Sequence, residues 1–143
     1  MSTVSRSALV PFSAAQMYVL VNAIEDYPKF VPWCANSSSQ ELSATEKQAT
    51  LHFARNPIKT SFTTKNTLMP NRKIDMQLVD GPFSQLQGTW QFEDIDESGS
   101  RVLLDLEFEL SNRMLKMALE SFFNQVCDRL VNAFVSRANE IYK

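Results

Sequence analysis

The sequence predicts an α+β fold, with a curved antiparallel sheet of about six to seven strands wrapped on one long C-terminal helix. Three observations predict it. From about Arg113 to Lys143 there is no Gly and no Pro, so nothing breaks a helix. In that stretch Leu115, Leu119, Phe122, Val126, Leu130, Phe134, Ala138 and Ile141 recur at helical spacing, and Phe123, Cys127 and Ala133 widen the stripe. Before it, the period is two from about residue 36 to residue 110, and the breaks are too short for crossover helices. Roughly 28 helical residues reach about 42 Å, so the helix must lie across something broad. A one-sided sheet is that surface.

The elements follow in order. Thr3 to Val10 is rich in β-branched and small residues and reads as the first strand, ended by Pro11. Ser13 is placed to cap a helix from Ala14 to about Ile24, with Gln16 as its capping-box partner. Asp26 opens a second, short helical turn. Tyr27 to Cys34 then holds two prolines and three aromatics, an apolar knuckle that is neither a long helix nor a central strand. Ser38 to Ser43 reads as a polar edge strand. Five alternating runs follow, with inward phases Ala49/Leu51/Phe53, Ile58/Thr60/Phe62/Thr64, Ile74/Met76/Leu78, Leu86/Gly88/Trp90/Phe92 and Val102/Leu104/Leu106/Phe108/Leu110. Asn56-Pro57, Pro70-Asn71, Gly81-Pro82 and Glu97 to Ser100 punctuate them, so consecutive strands pair as a meander. Ser111 or Asn112 caps the final helix.

The chain has 143 residues, which predicts a single domain over 1–143. It is 44% hydrophobic with a net charge of -2, which argues against a broad basic surface, so no DNA partner is expected. No apolar run approaches a membrane span and no leader pattern opens the chain, which together predict a cytoplasmic protein. Cys34 and Cys127 are far apart and His52 is the only histidine, so no metal site is predicted.

A catalytic set is hard to find. There is no G-x-S-x-G, no P-loop and no G-x-G-x-x-G. His52 sits on the polar phase of its strand, as do Asp105, Glu107 and Glu109, so all four read as a wet face. Arg6 and Asp80 are the only candidates for polar work inside a cavity. The aromatic residues are numerous enough to fill a core; equally, a strongly curved sheet gripping a helix can leave an apolar cavity, for which Met76, Met114 and Met117 would be deformable lining.

Two stretches resemble a known family. Tyr27-Pro28-Lys29-Phe30-Val31-Pro32-Trp33-Cys34 resembles the Y-P-x-F-x-P-W-C motif of the coenzyme-Q-binding START-domain proteins. Gly81-Pro82-Phe83 with Leu86, Gly88, Trp90 and Phe92 resembles their G-P-F-x-x-L-x-G-x-W-x-F. The likeness runs in order over essentially the whole chain. It implies a helix-grip (START-like) fold with two short helices after the first strand. It implies two functions: non-enzymatic binding of ubiquinone or a related isoprenoid lipid in support of respiration, or binding of the large ribosomal subunit so that subunits do not join. A third label attached to relatives, polyketide cyclase/dehydrase, implies an enzyme.

Taken with the inward phases, the lipid-binding implication places an isoprenoid tail against Phe62, Met76, Leu78, Trp90 and Phe92 of the sheet. Phe122, Val126 and Leu130 close the other wall. Tyr27, Pro28, Phe30, Val31 and Trp33 form a gate or rim, of residue types that suit transient contact with a membrane surface. No cofactor is required; ubiquinone is the expected ligand. Ribosome binding would instead draw on Lys47, Arg55, Lys59, Lys65, Arg72 and Lys73.

Overall fold

The computed structural model describes residues 1–142. The first strand, β1 (Ser2–Val10), is followed by α1 (Ala14–Asn22) and a 3-10 turn (Ile24–Lys29). Six strands come next: β2 (Cys34–Glu41), β3 (Glu46–Arg55), β4 (Ile58–Met69), β5 (Lys73–Asp80), β6 (Phe83–Asp96) and β7 (Gly99–Leu110). The long helix α2 (Arg113–Ile141) closes the chain. This is the element order the periodicity predicts, and it is the helix-grip arrangement.

All seven strands form one antiparallel sheet in the order β1-β7-β6-β5-β4-β3-β2. The meander from β2 to β7 follows from its short turns, each of which folds a strand back on its predecessor. The α1 and 3-10 segment carries the chain from one edge of the sheet, β1, to the other, β2. Register shifts between Cys34 and Asn36, Thr63 and Thr64, Phe83 and Gln85, and Asp94 and Asp96 mark irregularities that increase local twist and bend the sheet.

The helix starts reproduce local chemistry. Ser13 accepts from Gln16 N while the Gln16 side chain accepts from Ser13 N, a complete capping box. Asn112 rather than Ser111 caps α2, its side chain accepting from Leu115 N. The buried face of α2 is Leu119, Phe122, Phe123, Val126, Cys127, Val131, Phe134 and Ala138. Val131 lies within it although the predicted stripe omits it.

Three expectations are corrected. Ile141 is 46% exposed; at this end of α2 it is Ala138 and Tyr142, the latter on Phe12, that face the fold. Met114 and Met117 are 79% and 81% exposed on the solvent side of α2, so they do not line the space between sheet and helix. The short helical turn starts at Ile24, two residues early, because Ile24 is buried and its main chain is bonded to Ser37 of β2.

Gly88 shows how closely the sheet packs. A Cβ there would stand 2.2 Å from Leu106 Cδ2 and 3.0 Å from the Asp105 carbonyl oxygen on β7. Glycine is what lets β6 and β7 come together at this point.

Candidate functional site

Between the concave face of the sheet, the 3-10 turn and α2 lies an apolar pocket of about 90 Å³. The sheet contributes Ala49, Leu51, Phe53, Phe62, Ile74, Met76, Phe83, Leu86, Trp90, Leu106 and Phe108. The helix contributes Phe123, Val126, Cys127, Leu130 and Phe134, and the segment after β1 contributes Val21, Ile24, Tyr27 and Val31. Each strand residue here belongs to the inward phase of its strand, except that β6 enters through Phe83 before its register shift. The wall is built by the alternation that makes the sheet one-sided.

Of the eight predicted cavity residues, Phe62, Met76, Trp90, Val126 and Leu130 meet in this wall. The other three lie outside it. Phe92 is buried with its ring 5.8 Å from Tyr18 and 6.3 Å from Trp90, packing the sheet against α1. Phe122 is 1% exposed and packs on Trp33 and Phe53 instead. Leu78 is half-buried near the end of β5.

The predicted rim divides. Tyr27 and Val31 are buried wall residues, not rim residues. The Tyr27 hydroxyl donates to the carbonyl of Val21 at 2.5 Å, which draws the ring inward. Burial pushes its phenol far above the ordinary range. Phe30 is half-buried, edge-on to Tyr27 and to Phe134. Pro28 is exposed.

Trp33 is half-buried and adopts a φ of 61°, in the left-handed region that a bulky residue rarely enters. The guanidinium of Arg55 lies 4.8 Å from its ring centre and that of Arg129 lies 4.9 Å away. Arg55 also donates to Gln125 Oε1 at 2.8 Å, so the end of β3 is tied to α2 across the knuckle. Neither arginine has a carboxylate partner among the described residues.

Sequence reasoning missed one polar feature. Thr64 and Asn66 on β4 are 5% and 4% exposed and both belong to the pocket wall. The Thr64 hydroxyl donates to Asn66 Oδ1 at 2.7 Å. Thr64 was legible on the inward phase, but Asn66 falls where the apolar signal of β4 has ended. Extending the period of two by one step would have found it.

The titratable groups of the wall are Tyr27 and Cys127. Burial holds Cys127 up at about 12, with the Asp128 charge adding to the effect and Arg6 opposing it. At neutral pH both are protonated. His52, Asp105, Glu107 and Glu109 are exposed on the other face of the sheet. The two weak candidates for interior polar work are not in the pocket: Arg6 is exposed and pairs with Asp128 at 2.5 Å, and Asp80 is exposed at the end of β5. Among the described residues no group of three or more His, Cys, Asp or Glu is placed to hold a metal ion.

The basic residues do not form one patch. Lys47 donates to the carbonyl of Asn22 on the helix side of the sheet, where Arg55 also lies. Lys65 pairs with Glu46 at 2.9 Å and Lys73 with Asp75 at 3.5 Å. Alternation splits neighbouring cations between the two faces, and the charge balance of the strands neutralises two of them.

Comparison with known proteins follows the architecture. Residues 10–135 match the family model described as polyketide cyclase/dehydrase and lipid transport. The ribosome association toxin RatA of Vibrio cholerae is 45% identical over 142 residues, which is 99% of each chain. The mitochondrial coenzyme Q-binding protein of Dictyostelium discoideum is 28% identical over 131 residues, 89% of this chain and 64% of that one. The Zhui aromatase/cyclase from Streptomyces sp. R1128 superposes with a TM-score of 0.87 at 15% identity, covering 99% of this chain and 96% of that one. That last likeness is one of fold.

Proposed function

The chain belongs to the polyketide cyclase/dehydrase and lipid transport family, and on that premise we propose that it binds ubiquinone or a related isoprenoid lipid, without catalysis, between the sheet and α2. The observation that carries this reading is the wall itself, apolar around nearly its whole circumference and free of ionised side chains. Such a wall holds a ligand through buried apolar area, at ~25 cal/mol per Å². Proton transfer at neutral pH would need groups poised near that pH, and Tyr27 and Cys127 are not. The relative named for coenzyme Q binding supports the same ligand class. In this reading the protein works in the cytoplasm and in transient contact with membranes, where such lipids reside; no helix of the described residues is long and apolar enough to cross one.

The pocket volume of about 90 Å³ is below the ~150 Å³ of an apolar cavity that accepts benzene. Binding therefore requires the walls to give. Met76 and Leu130 are half-buried and have the side-chain freedom to do so. The test is mass spectrometry of an organic extract of natively expressed protein. A stoichiometric quinone or isoprenoid is the expected result; an empty extract from protein that also takes up no added quinone overturns the reading.

A second reading is favoured by the 45% identity, end to end, with a ribosome association toxin. Here the outer surface binds the large ribosomal subunit and blocks subunit joining. Arg55 and Arg129, held on Trp33 without carboxylate partners among the described residues, are two cations close together that could meet RNA phosphates, and Lys59 and Arg72 are likewise without a carboxylate partner. Co-sedimentation with large subunits that weakens steeply with salt is the expected sign. Absence of co-sedimentation at low salt removes this reading. The two functions use different surfaces and are compatible in one molecule.

A further inference from the structure

We propose that Asn66 anchors the ligand's polar end: its amide N–H donates to a carbonyl or ether oxygen, so the head, not the hydrocarbon tail, lies innermost against β4 and β5. This rests on the lipid-binding reading above and reverses the orientation that a purely apolar tunnel would suggest.

Asn66 stands on the inward face of β4, opposite Met76 of β5 in register. It is 4% exposed, and its side chain is part of the pocket wall. Thr64, two residues earlier on the same face, donates its hydroxyl to Asn66 Oδ1 at 2.7 Å. That bond occupies the carbonyl end of the amide and fixes which way it faces. The Nδ2 hydrogens are left: they make no hydrogen bond to a protein group among the described residues, and Nδ2 is not one of the fully buried unpaired side-chain atoms, which are Asn22 Oδ1, Ser100 Oγ and Arg137 Nε, so it keeps accessible area in the wall. A donor left open in an otherwise apolar wall is free to be accepted by whatever enters the pocket. Of the other polar groups in the wall, the Tyr27 hydroxyl is committed to Val21 and the Thr64 hydroxyl to Asn66.

The ligand chemistry follows. The site presents a neutral donor, so it selects an acceptor that carries no proton to donate and no charge. A ring carbonyl or an alkoxy oxygen on an apolar body fits; a carboxylate or phosphate would be desolvated here without a cation. Size points the same way. A space of about 90 Å³ must widen to take even a ring, and a long isoprenoid tail would need several times more again. A head-inward ligand buries its ring beside Asn66 and Trp90 and leaves the tail to run outward.

The experiment uses the full chain and a ubiquinone with a single isoprene unit, followed by titration calorimetry and by the infrared carbonyl band of the bound quinone. In the natural sequence the carbonyl band is expected to move to lower wavenumber on binding. Asn66→Leu, close in volume, should lose about tenfold in affinity, the scale of one buried hydrogen bond, and return the band to its free position. A tail-only isoprenoid alkene should bind both proteins equally. Thr64→Val frees the amide to rotate and should give a smaller loss. If quinone binds with an unshifted band, or binds Asn66→Leu as tightly, the head-inward orientation is wrong while the lipid reading stands. If the natural protein binds no quinone, both fall. Should Asn66→Leu fail to fold, the band of the natural protein decides alone.

Discussion

The phenolic hydroxyl of Tyr27 donates to the carbonyl oxygen of Val21, 2.5 Å away, and so fastens the 3-10 turn to the end of α1. Val21 lies in the last turn of α1, where carbonyls have no partner within the helix. Tyr27 supplies that partner from a buried position, with its ring 5.3 Å from Phe134 of α2. Tyr27→Phe keeps the ring and deletes the donor. It should cost about 1–3 kcal/mol, the penalty for a buried acceptor left unsatisfied. Urea unfolding with an unchanged slope and a lower midpoint is the expected result; an unchanged midpoint would show that water replaces the hydroxyl.

Phe123 is the hub of the aromatic core. Its ring lies 4.9 Å from Phe83, 5.6 Å from Phe122 and 6.1 Å from Phe62. Phe123→Ala should cost about 3–5 kcal/mol through lost burial and the cavity left behind. Because Phe123 also lines the pocket, this variant should accept bulkier apolar ligands than the natural protein. A loss below 1 kcal/mol in denaturant unfolding would mean that α2 collapses onto β6.

Val126 sits in the pocket wall and is 4% exposed. Val126→Trp places an indole where the ligand would lie. Overpacking should cost about 1–3 kcal/mol, leave a cooperative melt and weaken quinone binding by at least tenfold. Wild-type affinity in this variant would show that the ligand lies elsewhere.

Gly81 has a φ of 148°, and a Cβ there would stand 2.7 Å from the Cβ of Phe62. Both the backbone conformation and the contact oppose any side chain. Gly81→Ala should destabilise by about 1–3 kcal/mol and disturb the pocket through Phe62. A stability equal to that of the natural sequence would mean that the β5–β6 turn relaxes to another conformation.

Cys34 and Cys127 are buried thiols, pushed up to about 11 and about 12, in both cases chiefly by desolvation. The unfolded chain releases these protons near 9, the folded chain only at the higher values. Their contribution to stability is therefore present below pH 9 and is lost as pH rises through the folded values. Stability should fall between pH 9 and 12, less steeply in Cys127→Ala. Neither thiol should react with an alkylating reagent at pH 8 until the protein unfolds; rapid labelling of the native protein would contradict their burial.

The element order, the capping box at Ser13, the inward phase of the five strands from β3 to β7 and the main stripe of α2 were legible in the sequence; β2 runs Cys34–Glu41 rather than Ser38 to Ser43, because its polar residues carry no period to fix its ends. Each depends on neighbours within a few residues, and a period of 2 or 3.6 reports them directly. The motifs from Tyr27 to Cys34 and from Gly81 to Phe92 pointed to the family without showing what their residues touch. Tyr27 had the composition of a rim residue, yet its hydroxyl found a carbonyl inside the fold. Met114 and Met117 had the composition of lining, yet the helix turns them to solvent.

What the sequence determined by itself is which face of each element turns inward and how the elements follow one another, because those are set by local backbone geometry. Only the tertiary structure decided which inward residues meet a cavity and which fill the core. Phe92 and Phe122 fill it, whereas Phe62 and Trp90 border the space. Thr64 and Asn66 enter that wall as a hydrogen-bonded polar pair for the same reason. The line along which α2 crosses a curved sheet sets these outcomes. That line results from packing side chains remote in sequence, and no window along the chain contains it.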